Sequence, residues 1–207
     1  MRLVIVGAGG HGREVLDIVE ALREQHDVPE FAGFVADTVP APELLERRDA
    51  PHIGALDLLE ELDVAYTLGI GDGSTRRALD ERLTGWNRTA ITLVHPAATI
   101  GSDVELSPGV QLAAGARVTT NVRLGRHVHL NVNAVVSHDC RVGRYSTLSP
   151  GVHLNGSVTV GREVFFGTGA IVTPGITIGD GARIGAGAVV LDDIPGGVTA
   201  VGAPASW

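Results

Sequence analysis

The stretch Leu124–Val142, LGRHVHLNVNAVVSHDCRV, carries an aliphatic residue at every sixth position. The same register runs unbroken from Val94 to Val190, over 17 positions of which 16 are aliphatic and one is Phe166. Four positions after each lies a small or branched residue, and three positions after each lies Gly, Asn or Asp in 12 of the 17 cases. Because Gly, Asn and Asp tolerate a left-handed backbone, each hexapeptide predicts a short strand followed by a tight corner.

Three such hexapeptides would close a triangular coil of 18 residues. Successive coils would then stack at the spacing of neighbouring strands, about 4.8 Å. Hexapeptide repeats of this kind are typical of a parallel β-helix, with the aliphatic residues pointing inward. We therefore predict an all-β parallel β-helix domain over residues 94–207.

Residues 1–93 have a different pattern, in which strands alternate with helices. Arg2–Val6 predicts a buried strand, and the glycine-rich segment Gly7–Gly12, GAGGHG, follows it. The other predicted elements are strands at 31–35 and 65–70 and helices at 13–25, 56–62 and 74–83, the last with Ser74 as its N-cap. Such alternation indicates a small α/β domain with a parallel, Rossmann-like sheet.

GAGGHG matches the dinucleotide fingerprint G-x-G-x-x-G, but the domain has about half the length of a six-strand dinucleotide fold. The glycines would let a phosphate approach the start of a helix, where free N–H groups point at it. A nucleotide diphosphate attached to a sugar fits this role as well as NAD does. The alternative is a tight β–α turn that binds no ligand.

Composition excludes several classes of protein. A net charge of −8 argues against nucleic-acid binding, and no apolar run approaches the roughly 20 residues of a membrane span. The N-terminus does not resemble a signal peptide, so a cytoplasmic location is expected. The single cysteine and the absence of converging histidines and carboxylates predict no metal site. All 16 basic residues are arginine, so a phosphate would be held by arginine, backbone N–H groups or a helix N-terminus.

His138 lies two residues after an inward aliphatic residue, at a corner whose side chains face outward. The equivalent positions in the neighbouring coils are Thr120 and Gly156, which leave room for the ring. An outward histidine beside a carboxylate, here Asp139, is suited to general-base catalysis. Asp139 also occupies the corner position itself, so a role in the turn alone is the alternative. The further histidines of the repeat, predicted to lie on its surface as solvated or inter-subunit side chains, are His127, His129 and His153.

The hexapeptide ladder and the ending, with its segment Val201–Ala205, resemble the hexapeptide-repeat acyltransferases. The strand–GAGGHG–helix unit narrows the resemblance to sialic acid O-acetyltransferases and UDP-4-amino-sugar N-acetyltransferases. Ser137–Cys140, SHDC, matches the His-acid-Cys segment of the latter. The resemblance covers essentially the whole chain. It implies a left-handed β-helix, a homotrimer with acyl-donor sites between subunits, and acetyl-CoA as co-substrate.

The resemblance also implies roles for individual residues. The catalytic base would be His138, its basicity raised by Asp139. The matching contacts to acetyl-CoA fall on Thr147, Thr168 and Ala186, although the family has histidine at the position of Thr147. The matching contacts to the nucleotide sugar fall on His11, Gly12, Arg13, Ala36, Asp37 and Gly71. The C-terminal tail lacks basic residues, which leaves Arg162 or Arg183 for the CoA phosphates.

The expected function is therefore transfer of an acetyl group from acetyl-CoA to the amine of a nucleotide-linked 4-amino sugar. Residues 1–93 would bind the nucleotide sugar, and residues 94–207 would carry the acetyltransferase site. UDP is the favoured nucleotide. Ala36, however, stands where the family that the chain resembles has the first acid of an Asp-Asp pair, so GDP- and dTDP-linked sugars are alternative substrates. The alternatives are O-acetylation of sialic acid or a related hydroxyl, a trimeric scaffold that binds nucleotide sugars without catalysis, and an NAD-binding sensor.

Overall fold

The structure is a computed structural model of the chain and describes residues 2–25, 28–38 and 42–207. The chain divides into two compact units, Met1–Leu93 and Val94–Trp207. In the described part of the chain, no helix is both long enough and apolar enough to cross a membrane.

The first unit is built on a parallel sheet of five strands in the order β3-β2-β1-β4-β5. Its strands are β1 (Arg2–Val6), β2 (Phe31–Val35), β3 (His52–Gly54), β4 (Val64–Leu68) and β5 (Thr89–Ala90). Its helices are α1 (Gly10–Arg23), α2 (Glu43–Glu46), a 3₁₀ helix (Leu56–Glu60) and α3 (Gly73–Gly85). The central strands β1 and β4 are buried along almost their whole length, as expected for a parallel sheet covered on both faces.

The helix starts differ from the sequence predictions. Helix α1 begins at Gly10, three residues earlier than predicted, because the glycine-rich segment itself enters the helix. Helix α3 is capped by Asp72, so the prediction of Ser74 as N-cap is wrong. One carboxylate oxygen of Asp72 accepts hydrogen bonds from the Thr75 backbone N–H at 2.8 Å and from the Ser74 hydroxyl at 2.7 Å. These bonds stabilise the charged carboxylate and lower the pKa of Asp72 to about 2.

The second unit is a parallel β-helix whose strands form three faces. Face 1 contains β7 (Thr99–Ile100), β10 (Arg117–Val118), β13 (Val135–Val136), β16 (His153–Leu154), β19 (Ile171–Val172) and β22 (Val189–Val190). Face 2 contains β8 (Val104–Leu106), β11 (Val122–Leu124), β14 (Arg141–Val142), β17 (Thr159–Val160) and β20 (Thr177–Ile178). Face 3 contains β6 (Leu93–Val94), β9 (Gln111–Leu112), β12 (His129–Leu130), β15 (Thr147–Leu148), β18 (Phe165–Phe166), β21 (Arg183–Ile184) and β23 (Thr199–Ala200).

Paired strands are 18 residues apart, as Val118 pairs with Val136 and Val136 with Leu154, except that β21 pairs with β23 at an offset of 16 residues. From Leu112 to Val190 every ladder residue is buried, and these side chains form one continuous core. Every sixth residue from Asp103 to Gly187 has a positive φ, including the non-glycine residue Tyr145. The left-handed corners are therefore confirmed, and so is the inward ladder from Leu112 to Val190; the prediction is wrong for Ile100, which is 42% exposed.

Three edges separate the faces, and each is named here by one of its residues. The His138 edge joins face 1 to face 2, the Arg162 edge joins face 2 to face 3, and the Thr168 edge joins face 3 to face 1. Residues 18 apart lie above one another along an edge. For example, the Nε–H of Arg162 donates to the carboxylate of Asp180, 18 residues further along, at 2.7 Å.

The prediction that His127 and His129 lie on the surface is wrong, since both are buried. The ring of His127 is stacked against Tyr145 of the next coil, with centroids 5.9 Å apart and planes 11° apart. It also covers Gly109 of the preceding coil, where a Cβ would lie 2.3 Å from the ring. An outward corner residue is thus covered when its neighbours along the edge are a ring and a glycine. His153, on face 1, is exposed.

Candidate functional site

The His138 edge carries an exposed histidine–carboxylate pair. The Nδ1–H of His138 donates to Oδ2 of Asp139 at 2.7 Å, and the two side chains are 58% and 48% exposed. The side-chain amide of Asn121, one coil below, donates to the other carboxylate oxygen. Hydrogen bonds from His138 and then from Asn121 lower the pKa of Asp139. Asp139 therefore stays a carboxylate and orients the ring while also forming the left-handed corner, at a φ of 62°.

The ring of His138 lies directly against the backbone of the next coil. A Cβ built on Gly156 would lie 2.3 Å from Cε1 and 2.4 Å from Nε2 of this ring. Nδ1 carries the hydrogen that is donated to Asp139 in this hydrogen bond. In the neutral ring Nε2 therefore has no hydrogen, and its lone pair is available to accept a proton. In the described part of the chain, no hydrogen bond to Nε2 is present. This arrangement is suited to removing a proton from a ligand at the edge.

Cys140 lies next to this pair but faces the core. It is fully buried, and its thiol donates to the carbonyl of Asn155 at 3.0 Å. Burial raises the pKa of the thiol, which keeps it neutral. A neutral, buried thiol is a poor nucleophile, so the groups at this edge that are suited to proton transfer are His138 and Asp139.

The structure brings together two of the three residues predicted to contact acetyl-CoA. Thr168 and Ala186 are both exposed and lie one above the other on the Thr168 edge. Thr147 is nearly buried, in strand β15 of face 3, and does not share that edge. The His138 edge and the Thr168 edge lie on opposite sides of face 1. A single copy of the β-helix therefore does not bring His138 next to Thr168 and Ala186.

A cleft of about 550 Å³ opens in the first unit. It is lined by residues 6–9 after β1, residues 35–38 after β2, and Leu56, Ile70, Thr75 and Leu79. The neighbours of β1 are β2 and β4, so the strand order changes direction here. Ligands of open parallel sheets bind at such a point, beyond the carboxyl ends of the strands. The predicted residues Ala36 and Asp37 lie in the wall of this cleft.

The glycines around the cleft have two different roles. A Cβ on Gly12 would lie 1.9 Å from the Gly7 carbonyl oxygen, and one on Gly69 would lie 2.5 Å from the Gly12 Cα. These three glycines allow α1 to pack closely on β1 and β4. By contrast, a Cβ on Gly9 or Gly10 would meet no atom within 4 Å. Packing does not require glycine at these two positions, which leave open space at the start of α1.

The other predicted substrate residues, His11, Gly12, Arg13 and Gly71, are not among the residues that line the cleft, and Gly12 is packed against Gly7. His11 and Arg13 lie in the first turn of α1, where the His11 ring is 3.2 Å from Glu14 and the Arg13 guanidinium donates to the Ala8 carbonyl at 3.1 Å. The start of α1 has no side-chain cap. Gly71 follows the lining residue Ile70, and its position would also accommodate a Cβ without contact. An uncapped helix start with open glycines can accept an anionic group.

The wall containing Ala36 and Asp37 is held by contacts that the sequence pattern does not show. One carboxylate oxygen of Asp37 accepts from the backbone N–H of Leu56 at 3.1 Å, which leaves the other oxygen for a ligand. The Ala36 carbonyl accepts from Nε2 of His52 at 2.9 Å. His52 thus supports the wall from the neighbouring strand β3. Nothing in the spacing of His52 marks this role, because the contact depends on the pairing of β2 with β3.

The described residues contain no group of three or more histidines, cysteines and carboxylates that could hold a metal ion. The pair at His138 is suited to proton transfer, and the cleft beside Asp37 is large enough to bind a ligand.

Comparison with known proteins identifies the family. Residues 2–83 match the PglD N-terminal domain, and residues 157–192 match the bacterial transferase hexapeptide model. Over the whole chain the structure resembles a His-to-Asn variant of perosamine N-acetyltransferase from Caulobacter crescentus, solved with CoA and GDP-perosamine. The TM-score is 0.90, with 33% identity, and the match covers 100% of this chain and 96% of that one. The chain belongs to the hexapeptide-repeat sugar N-acetyltransferases.

Two further relatives support membership of this family. The acetyltransferase domain of PglB from Neisseria gonorrhoeae superposes with a TM-score of 0.88 at 32% identity, covering 99% of this chain and 98% of that one. UDP-N-acetylbacillosamine N-acetyltransferase from Bacillus subtilis is 34% identical over 117 residues. That match spans 54% of this chain and about half, 51%, of the relative. The β-helix is the left-handed one of this family, as the resemblance implied.

Proposed function

We propose that this protein transfers an acetyl group from acetyl-CoA to the amine of a nucleotide-linked 4-amino sugar, with His138 as the general base. The observation that carries the proposal is the oriented pair at the His138 edge, in a chain of this family. Relatives solved with their ligands include PerB from C. crescentus with CoA and GDP-perosamine and the N. gonorrhoeae PglB domain with acetyl coenzyme A.

In the proposed reaction the amine nitrogen attacks the carbonyl carbon of the thioester. Nε2 of His138 accepts the proton that the nitrogen loses, and Asp139 stabilises the resulting imidazolium through its bond to Nδ1. The carbon–sulfur bond breaks, and the CoA thiolate leaves and takes up a proton. A base held in this way contributes roughly 10²–10⁴-fold to the rate.

The cleft of the first unit would bind the nucleotide part of the sugar substrate. The open glycines at the start of α1 would receive the diphosphate, because the helix start presents N–H groups and no side chain competes for them. The free oxygen of Asp37 would accept a ribose hydroxyl, the role that an acidic residue has after the second strand of such folds. Ala36 offers no side-chain hydrogen bond, so base recognition here would rely on the backbone and the apolar wall.

A homotrimer would complete the catalytic site. The residues proposed to bind acetyl-CoA, Thr168 and Ala186, lie across face 1 from His138 in one copy. Five residues of extended chain span roughly 16 Å, which is more than a histidine side chain can bridge. If the His138 edge of one copy meets the Thr168 edge of the next, the base and the thioester come together. Three copies close such a head-to-tail contact into a ring.

The activity is tested with the purified protein, acetyl-CoA and a panel of UDP-, GDP- and dTDP-linked 4-amino sugars. Thiol release and the mass of the acetylated sugar are measured, with sialic acid as the hydroxyl acceptor. We expect turnover of an amino sugar and a drop of roughly 10²–10⁴-fold for His138→Ala, partly restored by added imidazole. Full turnover by His138→Ala would refute the assignment of His138 as the general base. Acetylation of the hydroxyl acceptor alone would refute the proposal that the substrate is an amine.

The shared site is tested by combining two inactive variants. Light scattering should give three times the chain mass of 21.5 kDa. When His138→Ala is co-expressed with Ala186→Trp, which would block the proposed CoA groove, about one third of the sites in mixed trimers should combine two intact edges. Recovery near that fraction supports the model. Absence of recovery in verified mixed trimers would place the whole site within one copy and refute it.

A further inference from the structure

Face 3 carries an arginine whose guanidinium lies over an aromatic ring. The guanidinium carbon of Arg183 lies 4.7 Å from the ring centroid of Phe165, the residue paired with it in the neighbouring coil. Arg183 is exposed, and its β21 neighbour Ile184 points into the core. The contact with the ring restricts the guanidinium and leaves its N–H groups available to bind an anion.

This stacked pair lies beside the proposed CoA groove. Phe165 precedes Thr168 by three residues and Arg183 precedes Ala186 by three, so the two pairs occupy the same coils at the same end of face 3. Along the helix axis, Arg183 lies 45 residues beyond His138, which is two and a half coils or about 12 Å. An extended pantetheine arm is longer than this distance. A CoA whose thioester is at the level of His138 would therefore reach the level of Arg183 with its phosphates.

The arginine at the Arg162 edge is less suited to this role. The Nε–H of Arg162 donates to Asp180 at 2.7 Å, and the edge that carries both residues is not the one that carries Thr168. On face 2, Arg123 pairs with Asp103 and Glu105. The chain has no lysine, and residues 184–207 contain no basic side chain. CoA carries three phosphate groups, for which the groove offers Arg183 as the adjacent cation.

We propose that Arg183, held in place by Phe165, binds a phosphate group of coenzyme A. The inference rests on the proposed use of acetyl-CoA and adds the residue that anchors its anionic end. Arg183 has no part in the proton transfer, and its loss should weaken CoA binding without changing kcat at saturation. Phe165 acts as a positioning residue for the guanidinium.

The test compares Arg183→Gln with the wild-type protein. Titration calorimetry gives the dissociation constants for CoA and dephospho-CoA, and a kinetic assay gives kcat/KM with acetyl-CoA and with S-acetylpantetheine. We expect about tenfold weaker CoA binding and no change in kcat/KM with S-acetylpantetheine, which lacks phosphates. Loss with CoA but not dephospho-CoA identifies the 3′-phosphate, and equal loss with both identifies the diphosphate. Phe165→Leu should give part of the same loss, and the control Arg162→Gln should give none.

Three outcomes would overturn the inference. One is unchanged CoA binding by Arg183→Gln, another is the same loss with S-acetylpantetheine as with acetyl-CoA, and the third is an equal effect of Arg162→Gln. If the wild-type protein binds CoA and acetylates an amino sugar in these cases, the proposed function stands and only the role of Arg183 fails. If the wild-type protein does not bind CoA at all, both proposals fall together.

Discussion

Replacing Gly156 with alanine should displace the catalytic ring without removing any catalytic group. The new Cβ would lie 2.3 Å from Cε1 of His138, whereas ordinary contact begins at 3.4 Å. The ring must therefore move by at least about 1 Å, and a misplacement of this size can cost about 100-fold in rate. The φ of Gly156 is not in the left-handed region, and His138 is 58% exposed, so the ring can swing outward. The free energy of unfolding should change by less than about 1 kcal/mol.

The assay is kcat/KM for acetyl transfer, together with urea unfolding of the same preparation. In a His138→Ala background the Gly156→Ala change should have no further effect on rate, because the displaced ring is already absent. A Gly156→Ala enzyme with wild-type kcat/KM would show that the ring position seen here is not the reactive one. A loss of equal size in the His138→Ala background would show that Gly156 acts on something other than the ring.

Three further predictions concern the first unit. Asp72→Ala should lower the free energy of unfolding by about 1 kcal/mol at pH 7, because the N-cap of α3 is lost. Since the pKa of Asp72 is lowered to about 2 in the folded state, its contribution is present above pH 4. The difference between the variant and the wild type in urea unfolding should thus shrink as pH falls from about 4 toward 2, and a pH-independent difference would contradict this cause. Gly12→Ala should destabilise the protein by about 3 kcal/mol or more, because its Cβ would strike the Gly7 carbonyl oxygen. Gly10→Ala should fold normally yet raise KM for the nucleotide sugar about tenfold, because a Cβ here would occupy the open space at the start of α1. An unchanged KM would show that the diphosphate does not bind at the start of α1.

The ladder and the corners could be predicted because they depend on residues only six positions apart. An aliphatic side chain at every sixth position has to be buried, and the corner three residues later has to be left-handed, as at Asp139. The same rule predicts that His138 lies on an outward corner. The same rule failed for His127, whose burial depends on Tyr145 and Gly109 in the adjacent coils.

In the first unit the alternation of strands and helices was predictable, whereas the contacts between elements were not. Asp72 and Ser74 are both good N-cap residues, and which one serves depends on where the chain leaves β4. The bond from Asp37 to the Leu56 N–H spans 19 residues and joins two loops. The support of Ala36 by His52 likewise exists only once β2 and β3 are paired.

The amino-acid sequence alone determined that the second unit is a parallel β-helix of hexapeptide repeats and that His138 and Asp139 face outward. Both follow from the six-residue period, which recurs in every repeat. Only the tertiary structure decided that His127 is buried between Tyr145 and Gly109, and that Arg183 rests on Phe165. Those relations join residues 18 or more positions apart, and they arise from the closure of each coil and the stacking of one coil on the next. The hexapeptide period does not specify these contacts, because they depend on how the side chains of adjacent coils pack against one another.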